Sequence, residues 1–246
     1  MKKKIKSLML RILAFVVRDP RAKVVFYHDV GQTYTSMGTP AELFWAHMER
    51  LQQHGARHGV DHEVAFDDGF RGVWDGREEF RKMGIRPMVF LAVGLVGRPG
   101  YLNWNEIRTL QNDYGFQFQC HTWSHQTLEG PCNTDLPKPE QHDFRTETWY
   151  RHELVESKVE LEHQLGRSVT ALCFPVGYFS PEIVRRCQVA GYTRLYASYP
   201  GNRGSGLIVP RCLVQDASLA DFTAVLSGGM NAISRRYRAR HEIKGV

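Results

Sequence analysis

The chain has 246 residues, of which 42% are hydrophobic and 24% are charged. These proportions are close to those of water-soluble globular domains, so they exclude collagenous, disordered and multi-span membrane proteins. The formal net charge is +6. Residues 1–23 carry eight Lys or Arg and one Asp, net +7, and residues 235–246 carry five and one Glu, net +4, which leaves residues 24–234 at −5. An acidic body lacks the basic surface of a nucleic-acid-binding protein, and we expect no nucleic-acid partner.

The cysteines indicate the redox environment. There are five, an odd number, and no two of them form a CxxC pair: Cys120, Cys132, Cys173, Cys187 and Cys212. Scattered cysteines of this kind argue against a disulfide framework and favour a reducing compartment. We therefore expect a cytoplasmic location.

Residues 1–20 predict a basic amphipathic helix. Apolar side chains recur with the spacing of one helical face at Ile5, Leu8, Met9, Ile12, Leu13 and Val16. Arg11 interrupts the apolar stretch and no small-residue cleavage site follows, so we expect neither a cleaved signal peptide nor a membrane span. Two alternatives stay open: a helix lying in the plane of an anionic membrane surface, or a helix docked on the protein's own core.

Short apolar runs alternate with segments of helical period through residues 21–230, and no linker divides this predicted domain. Predicted strands cover 24–27, 64–66, 88–93, 117–120, 169–174, 194–197 and 207–209. Predicted helices cover 40–53, 78–83, 105–111, 150–165 and 181–190. This alternation predicts an α/β fold with a parallel sheet, either open or closed into a barrel. A polar loop over 129–148 has the length of a functional lid, and a basic tail covers 231–246.

Two adjacent carboxylates, Asp67 and Asp68, directly follow the second predicted strand and precede Gly69. Glycine permits a sharp turn at this position. Neighbouring aspartates in such a loop can take different roles, one binding a cation and the other accepting a proton. The same pattern is compatible with a turn in which the carboxylates only cap backbone amides.

His121 and His125 follow the fourth predicted strand at a spacing of i and i+4. If the segment turns helically, both imidazoles can address one divalent ion. Asp68 would complete a set of three protein ligands with one position open for water, which is typical of catalytic metal sites. The chain has 11 histidines, so chance pairs also occur, and we expect surface positions for His47, His54, His58 and His62.

These motifs, in this order, resemble the polysaccharide deacetylase family (NodB homology, carbohydrate esterase family 4). The resemblance runs from about residue 23 to 227 and includes VVFYHDV at 24–30, Trp104 before a predicted helix, FPVGY at 174–178, and Pro210-Arg211. It implies a distorted (β/α) barrel with about seven parallel strands. It also implies metal-dependent hydrolysis of N-acetyl groups on amino sugars.

The resemblance assigns roles to individual residues. Asp67 becomes the general base, and Asp68, His121 and His125 become ligands of a divalent metal ion, with Zn as first choice and Co, Ni, Fe or Mn as alternatives. His28 lies in a Tyr-His-x-Val segment similar to that of the branch that deacetylates poly-N-acetylglucosamine, where an N-terminal histidine fills the role of the acid. We therefore expect His28 to be the acid, with a hydrogen-bonded core histidine as the alternative.

The sequence departs from the family pattern in two places. No Leu-x-His motif, the usual source of the acid, follows residue 216. The third motif, Arg-Pro-Pro-Tyr in many members, reads Cys-Phe-Pro-Val at 173–176, so the arginine that orients the base is missing and Arg211 is the candidate substitute. The backbone N–H of Val176 would stabilise the oxyanion in place of that of the tyrosine. Candidate sugar contacts are Trp104, Trp123 and Tyr178.

The expected substrate is an N-acetylated glycan, either a polysaccharide or a lipid-linked sugar used in glycan biosynthesis. The basic N-terminal segment would bring the enzyme to the anionic inner face of the cell membrane. Two alternatives remain. One is hydrolysis of another non-peptide C–N bond, in a formyl or cyclic amide group, and the other is a catalytically weak glycan-binding protein that kept the metal site.

Overall fold

Eight short strands form one sheet in which every neighbouring pair is parallel. The computed structural model describes residues 2–129 and 144–231. The strands are β1 (Val24–Tyr27), β2 (Glu63–Phe66), β3 (Met88–Leu91), β4 (Gln117–Cys120), β5 (Ala171–Cys173), β6 (Arg194–Ala197), β7 (Ile208–Pro210) and β8 (Cys212–Leu213). Their order in the sheet is β7-β6-β5-β4-β3-β2-β1-β8. Strands that are consecutive in sequence are therefore neighbours in the sheet, except β7 and β8, which form its two edges.

The two edges of the sheet are separated by a single residue, Arg211. β7 pairs with β6, and β8 pairs with β1 through Val25 and Cys212. Residues 208–213 therefore bridge both edges, and the sheet wraps into a nearly closed barrel. The predicted distorted (β/α) barrel is confirmed. There are eight strand segments rather than about seven, because the last predicted strand continues beyond Arg211 into β8.

The described helices surround the barrel and alternate with the strands along the chain. They are α1 (Lys2–Val17), α2 (Ala41–His58), α3 (Gly72–Asp75), α4 (Arg77–Lys82), α5 (Trp104–Asp113), α6 (Glu147–Arg151), α7 (Ser157–Leu165), α8 (Pro181–Val189) and α9 (Leu219–Leu226). A π-helical turn, His152–Glu156, joins α6 to α7, and 3₁₀ turns cover Val93–Leu95 and Pro175–Gly177. The prediction of a helix over 150–165 ended by Gly166 is confirmed, although the helix begins three residues earlier and contains a π turn that was not predicted. The elements α3, α9 and β8 were not predicted either.

Local sequence signals explain several helix boundaries. α5 begins with a capping box, in which the Asn103 side chain accepts the N–H groups of Asn105 and Glu106 while the Glu106 side chain accepts the N–H of Asn103. The Ser180 side chain caps α8 by accepting the N–H of Ile183. Gly166 ends α7 with a φ of 61°, a conformation that glycine adopts without a steric penalty.

Alternating side chains of the strands fill two apolar clusters. The inward-facing cluster inside the barrel consists of Val24, Phe26, Ala65, Phe90, Ala171, Cys173, Tyr196 and Val209. The outward-facing residues join the larger cluster under the helices, where Phe44, Phe66 and Phe80 pack edge to face. Because a barrel this small is filled by side chains, functional groups lie where the strands end rather than along an open channel.

Helix α1 packs against α9 along one face. Ala14 is buried beside Gly229, and the Ser7 hydroxyl and Arg11 guanidinium donate hydrogen bonds to Asp221 at 2.7 and 2.9 Å. The opposite face leaves five apolar side chains 54–71% exposed: Leu8, Met9, Ile12, Phe15 and Val16. None of the helices in the described part of the chain is long and apolar enough to cross a membrane. The helix is thus docked on the protein and still presents an uncovered apolar face.

Parts of the predicted organisation lie outside the described residues. This applies to most of the predicted loop, 130–143, and to most of the basic tail, 232–246. The division into an N-terminal helix (1–20), a catalytic domain (21–230) and a tail stays a prediction. Four of the five cysteines fall within the described ranges, and all four are free and buried: Cys120, Cys173, Cys187 and Cys212.

The prediction of surface positions is wrong for three of the four histidines in and after α2. His47 is buried, stacks on Phe222 of α9 with ring centroids 4.2 Å apart, and forms a 3.1 Å hydrogen bond with the Tyr27 hydroxyl. His54 and His62 are buried and hydrogen-bonded to each other at 3.0 Å. Because α9 was not predicted, no sequence pattern indicated that the side of α2 with His47 is covered.

The protonation of this pair follows from its partners. The backbone N–H of Lys23 donates to Nδ1 of His62, so neutral His62 carries its proton on Nε2 and donates it to Nδ1 of His54. A second proton on either ring would disrupt this chain. Burial lowers the pKa of His47, His54 and His62 to about 4.

We predict that the free energy of unfolding falls as the pH is lowered from about 6.5 to about 4. In this range the unfolded chain binds protons at four histidines that the folded, metal-free chain leaves neutral, so stability rises with pH: His47, His54, His62 and His121. Asp29, whose pKa burial raises to about 7, opposes this trend between about pH 4 and 7 but contributes only one proton. Urea unfolding at a series of pH values measures the slope. His54→Gln should reduce the slope by about one proton, and an unchanged slope would contradict the assignment.

Candidate active site

Asp67 and Asp68 follow β2 in a tight turn that gives them different partners. Asp68 and Gly69 have φ angles of 69° and 83°, in the left-handed region that glycine adopts freely and aspartate tolerates. The turn is held by the N–H of Leu102, which donates to the carbonyl oxygen of Gly69 at 2.9 Å. As a result the Asp67 carboxylate contacts Arg211, and the Asp68 carboxylate lies against two histidines.

Asp68, His121 and His125 form a cluster of ligand atoms. Oδ1 of Asp68 lies 3.0 Å from Nε2 of His125 and 3.5 Å from Nε2 of His121, and the two Nε2 atoms are 3.1 Å apart. Nδ1 of His121 donates to the carbonyl oxygen of Cys173 at 2.9 Å, so the lone pair of Nε2 faces the cluster. Burial lowers the pKa of His121 to about 4 and keeps the ring neutral.

The chemistry of this cluster fits a divalent cation. Asp68 Oδ1 is buried and finds no hydrogen-bond donor in the described part of the chain. A buried acceptor without a donor costs free energy, and a cation between these atoms would remove that cost. Two imidazole nitrogens and one carboxylate oxygen are also a usual set of three protein ligands for catalytic zinc.

A second group of atoms within the described residues, from Asp67, His121 and Cys173, is also close enough to hold a metal ion. Arg211 already occupies this position, since its Nη2 lies 2.7 Å from Sγ of Cys173. A metal ion there would lie against the guanidinium charge. The set of Asp68, His121 and His125 is therefore the better candidate.

Arg211 forms a buried, bidentate ion pair with Asp67. Its Nη1 and Nη2 lie 2.6 and 2.8 Å from the two carboxylate oxygens, and the guanidinium lies 4.0 Å from the centre of the Phe26 ring inside the barrel. Burial alone would raise the pKa of Asp67, but the charge and hydrogen bonds of Arg211 outweigh it and hold that pKa well below its usual range. The candidate pairing of Arg211 with Asp67 is thus present, and it keeps the Asp67 carboxylate ionised and fixed in orientation.

His28 follows β1 and is oriented by a residue that the sequence did not single out. Its Nδ1 lies 2.6 Å from Oε1 of Gln215, and because an amide oxygen only accepts, Nδ1–H donates this hydrogen bond and the lone pair of the neutral ring lies on Nε2. His28 is half-buried and close enough to Asp67 to lower the pKa of that carboxyl. Gln215 follows β8, a two-residue strand without a sequence signal, so no pattern marked it.

Strained backbone is concentrated at the ends of the strands that carry the candidate site. Val176 has a φ of 57° in the turn after β5, and Thr122 and His125 have φ angles of 67° and 60° after β4. Positive φ is rare for β-branched residues, and such strain occurs where the surrounding structure enforces it, often at active sites. Val176, whose backbone N–H is expected to stabilise the oxyanion, is one of these strained residues.

The three predicted sugar contacts differ in exposure. Trp104 and Trp123 are half-buried and pack against the core, and the Trp123 ring also contacts the His152 ring at a centroid distance of 4.4 Å. Tyr178 is 39% exposed. Their contact with a sugar stays a prediction. An aromatic residue that the sequence analysis missed, Tyr101, stacks on Phe70 at 4.6 Å, and burial together with the charge of Asp68 raises the pKa of its phenol.

The sequence model of the polysaccharide deacetylase family matches residues 62–195, which contain the Asp-Asp-Gly turn, both histidines and the turn after β5. The chain belongs to the polysaccharide deacetylase family. The chain is similar to YxkH of Bacillus subtilis strain 168, which is named as a polysaccharide deacetylase. The two are 21% identical over 208 residues, which cover 76% of this chain and 69% of YxkH.

Solved structures of related proteins have the same fold. The Streptococcus pyogenes deacetylase PplD, in complex with acetate, is 16% identical to this chain with a TM-score of 0.67. The match covers 84% of this chain and 98% of PplD. IcaB from Ammonifex degensii is 19% identical with a TM-score of 0.69, over 86% and 99% of the two chains. These matches establish the fold of the carbohydrate de-N-acetylases.

We predict that Arg211→Met destabilises the protein by about 3–5 kcal/mol, because it leaves the Asp67 carboxylate buried without a partner. Adding Asp67→Asn to this variant removes the uncompensated charge and should recover most of the loss. Urea unfolding of the single and double variants measures the coupling between the two residues. Additive effects in the double variant would contradict a direct energetic pairing.

Proposed function

We propose that this polysaccharide deacetylase is a metal-dependent hydrolase that removes N-acetyl groups from amino sugars of a glycan. The observation that carries the proposal is the convergence of Asp68, His121 and His125 beside the Asp67–Arg211 pair. The donor set of two nitrogens and one oxygen favours Zn, with Co, Ni, Fe and Mn as alternatives.

The residues around the cluster divide the work of amide hydrolysis. A divalent ion held by Asp68, His121 and His125 would supply Lewis acidity, which polarises a carbonyl oxygen and lowers the pKa of bound water to about 7. Asp67 accepts the proton of the attacking water. Arg211 holds the Asp67 carboxylate by both oxygens, so the base stays ionised and its orientation does not vary between turnovers.

The leaving amine requires a proton donor, because an amide nitrogen without a proton is a poor leaving group. His28 fills this role, and the acceptor Oε1 of Gln215 fixes Nδ1–H so that Nε2 carries the transferred proton. The backbone N–H of Val176 stabilises the negative charge that develops on the acetyl oxygen. The products are acetate and a free amine on the sugar.

We predict that the protein, reconstituted with Zn, releases acetate from N-acetylated glycans or lipid-linked N-acetyl sugars. Asp67→Asn and His28→Gln should each reduce the rate by about 10²–10⁴-fold, because each removes one proton-transfer group. His58→Gln, which changes an exposed histidine of α2, is the matched control and should retain full activity. The readout is enzymatic detection of acetate over a panel that includes formylated and cyclic amide substrates.

Each other outcome has a definite meaning. Acetate release that survives His28→Gln would remove His28 as the acid. Release of formate, or opening of a cyclic amide, without acetate would identify hydrolysis of another C–N bond. Tight glycan binding by the metal-loaded protein without any product would identify a glycan-binding protein.

We propose that the enzyme acts as a peripheral protein at the anionic inner face of the cell membrane, on a lipid-linked or nascent glycan. The support is the uncovered apolar face of α1, consisting of Leu8, Met9, Ile12, Phe15 and Val16. The first 23 residues have a net charge of +7, and each Lys or Arg near an anionic surface contributes about 1 kcal/mol. An amphipathic basic helix of this length binds in the plane of the interface.

We predict that the protein sediments with vesicles containing anionic lipid and not with zwitterionic vesicles. Ile12→Glu combined with Phe15→Glu should abolish sedimentation, because it places two charges in the apolar face without touching the contacts with α9. Hydrolysis of a soluble amino sugar should be unchanged and serves as the control for folding. Vesicle binding that persists in this variant would contradict the proposed surface.

A further inference from the structure

The π-helical turn His152–Glu156 directs two neighbouring side chains toward residues 121–125, here called the ligand loop. His152 lies against the ring of Trp123, with centroids 4.4 Å apart and the rings tilted by 39°. The Glu153 carboxylate is within hydrogen-bond distance of the loop backbone at the same residue. π turns are rare, appear mostly as single turns inside α-helices, and are frequently found at functional sites. Here it separates α6 from α7 at the point where the helix passes the ligand loop.

Glu153 binds the middle of the ligand loop through backbone amides. Its Oε2 accepts the N–H groups of Trp123 and Ser124, both at 2.9 Å, and its side chain is almost completely buried. No Lys or Arg within the described ranges forms an ion pair with this carboxylate. Hydrogen bonds to an ionised acceptor are the strong ones, so the two amides supply the main stabilisation of the charge.

The ligand loop needs external support because its backbone is strained. Thr122 and His125 both have positive φ angles, and such conformations persist only where the surroundings enforce them. Leu91, Val93 and Gly94 hold the loop backbone through the N–H of His121 and the carbonyl oxygens of Thr122 and Trp123, at 2.8, 3.2 and 2.9 Å. The N–H groups of Thr122 and His125 have only local partners, Sγ of Cys120 and the Thr122 hydroxyl, both at 3.2 Å. Glu153 is the charged group that fixes Trp123 and Ser124, the two residues between Thr122 and His125.

The π turn itself is stabilised by partners of its carbonyl groups. The Ser157 hydroxyl donates to the carbonyl oxygen of Glu153 at 2.5 Å, and the Tyr192 hydroxyl donates to that of Leu154 at 2.9 Å. These bonds satisfy carbonyls that the irregular turn would otherwise leave unpaired in the interior. The irregularity is therefore a built feature that keeps Glu153 at the ligand loop.

We infer that Glu153 is a positioning residue that fixes the ligand loop and thereby sets the affinity of the His121–His125 pair for a divalent ion. This inference rests on the proposed metal-dependent function. Residues that orient metal ligands from outside the coordination sphere commonly change metal affinity by about 10–100-fold when they are substituted. Glu153 acts on the ligands through the backbone that carries them.

The test compares Glu153→Gln with Glu160→Gln, a matched change on α7 away from the ligand loop. Zn affinity, measured by competition with a chelator, should fall about 10–100-fold in Glu153→Gln and stay unchanged in Glu160→Gln. The visible spectrum of the Co-loaded protein should change only in the first variant. In the metal-free protein, hydrogen exchange at the amides of Trp123 and Ser124 should accelerate, which reports on the loop without any metal.

Glu153→Asp is the second variant, because it keeps the charge but is one methylene too short to reach both amides. It should also lose affinity, and it keeps the test decisive if Glu153→Gln does not fold. Wild-type affinity and wild-type amide exchange in a folded Glu153 variant would overturn the inference. An equal loss in Glu160→Gln would overturn it as well. Failure of the wild-type protein to bind any divalent ion would instead overturn the proposed function, while amide exchange would still decide whether Glu153 fixes the loop.

Discussion

The buried ion pair between Arg211 and Asp67 joins the closure of the barrel to the candidate catalytic base. Arg211 is the single residue between β7 and β8, the two edges of the sheet, and its guanidinium fills space inside the barrel above Phe26. Removing either charge would leave the other buried without compensation, which is far more costly than the pair itself. The same contact that completes the packing of the barrel therefore fixes the protonation and orientation of Asp67. Structure and chemistry depend on one pair of side chains.

Around that pair, the site is assembled from strained turns supported by hydrogen bonds from neighbouring elements. The carbonyl of Cys173 selects the tautomer of His121, and Gln215 does the same for His28. Glu153 reaches the backbone between His121 and His125 from a helix on the other side of the loop. The functional groups come from the ends of different strands, so their relative positions depend on the whole barrel, as in other folds of this type.

Much of the fold and the central part of the site could be predicted from the sequence, because both leave local patterns. Alternating apolar runs indicated the parallel strands, and Asp-Asp-Gly and His-x-x-x-His lie at their ends. The supporting residues leave no such pattern. Gln215 follows a two-residue strand, and Glu153 depends on a π turn, which no periodicity predicts. The burial of His47 depends on α9, which is distant in sequence and was not predicted. These features arise from tertiary contacts, and single-sequence patterns carry little information about such contacts.

The position of Arg211 late in the chain has a consequence for synthesis. Every proposed metal ligand and the base itself lie within the first 125 residues, and the match to the family model ends at residue 195. A nascent chain that has not yet reached residue 211 can therefore contain all the ligands while its Asp67 has no partner and its barrel stays open at one edge. In such a chain Asp67 would acquire a fixed orientation only when the final strand segments of the barrel, on either side of Arg211, dock.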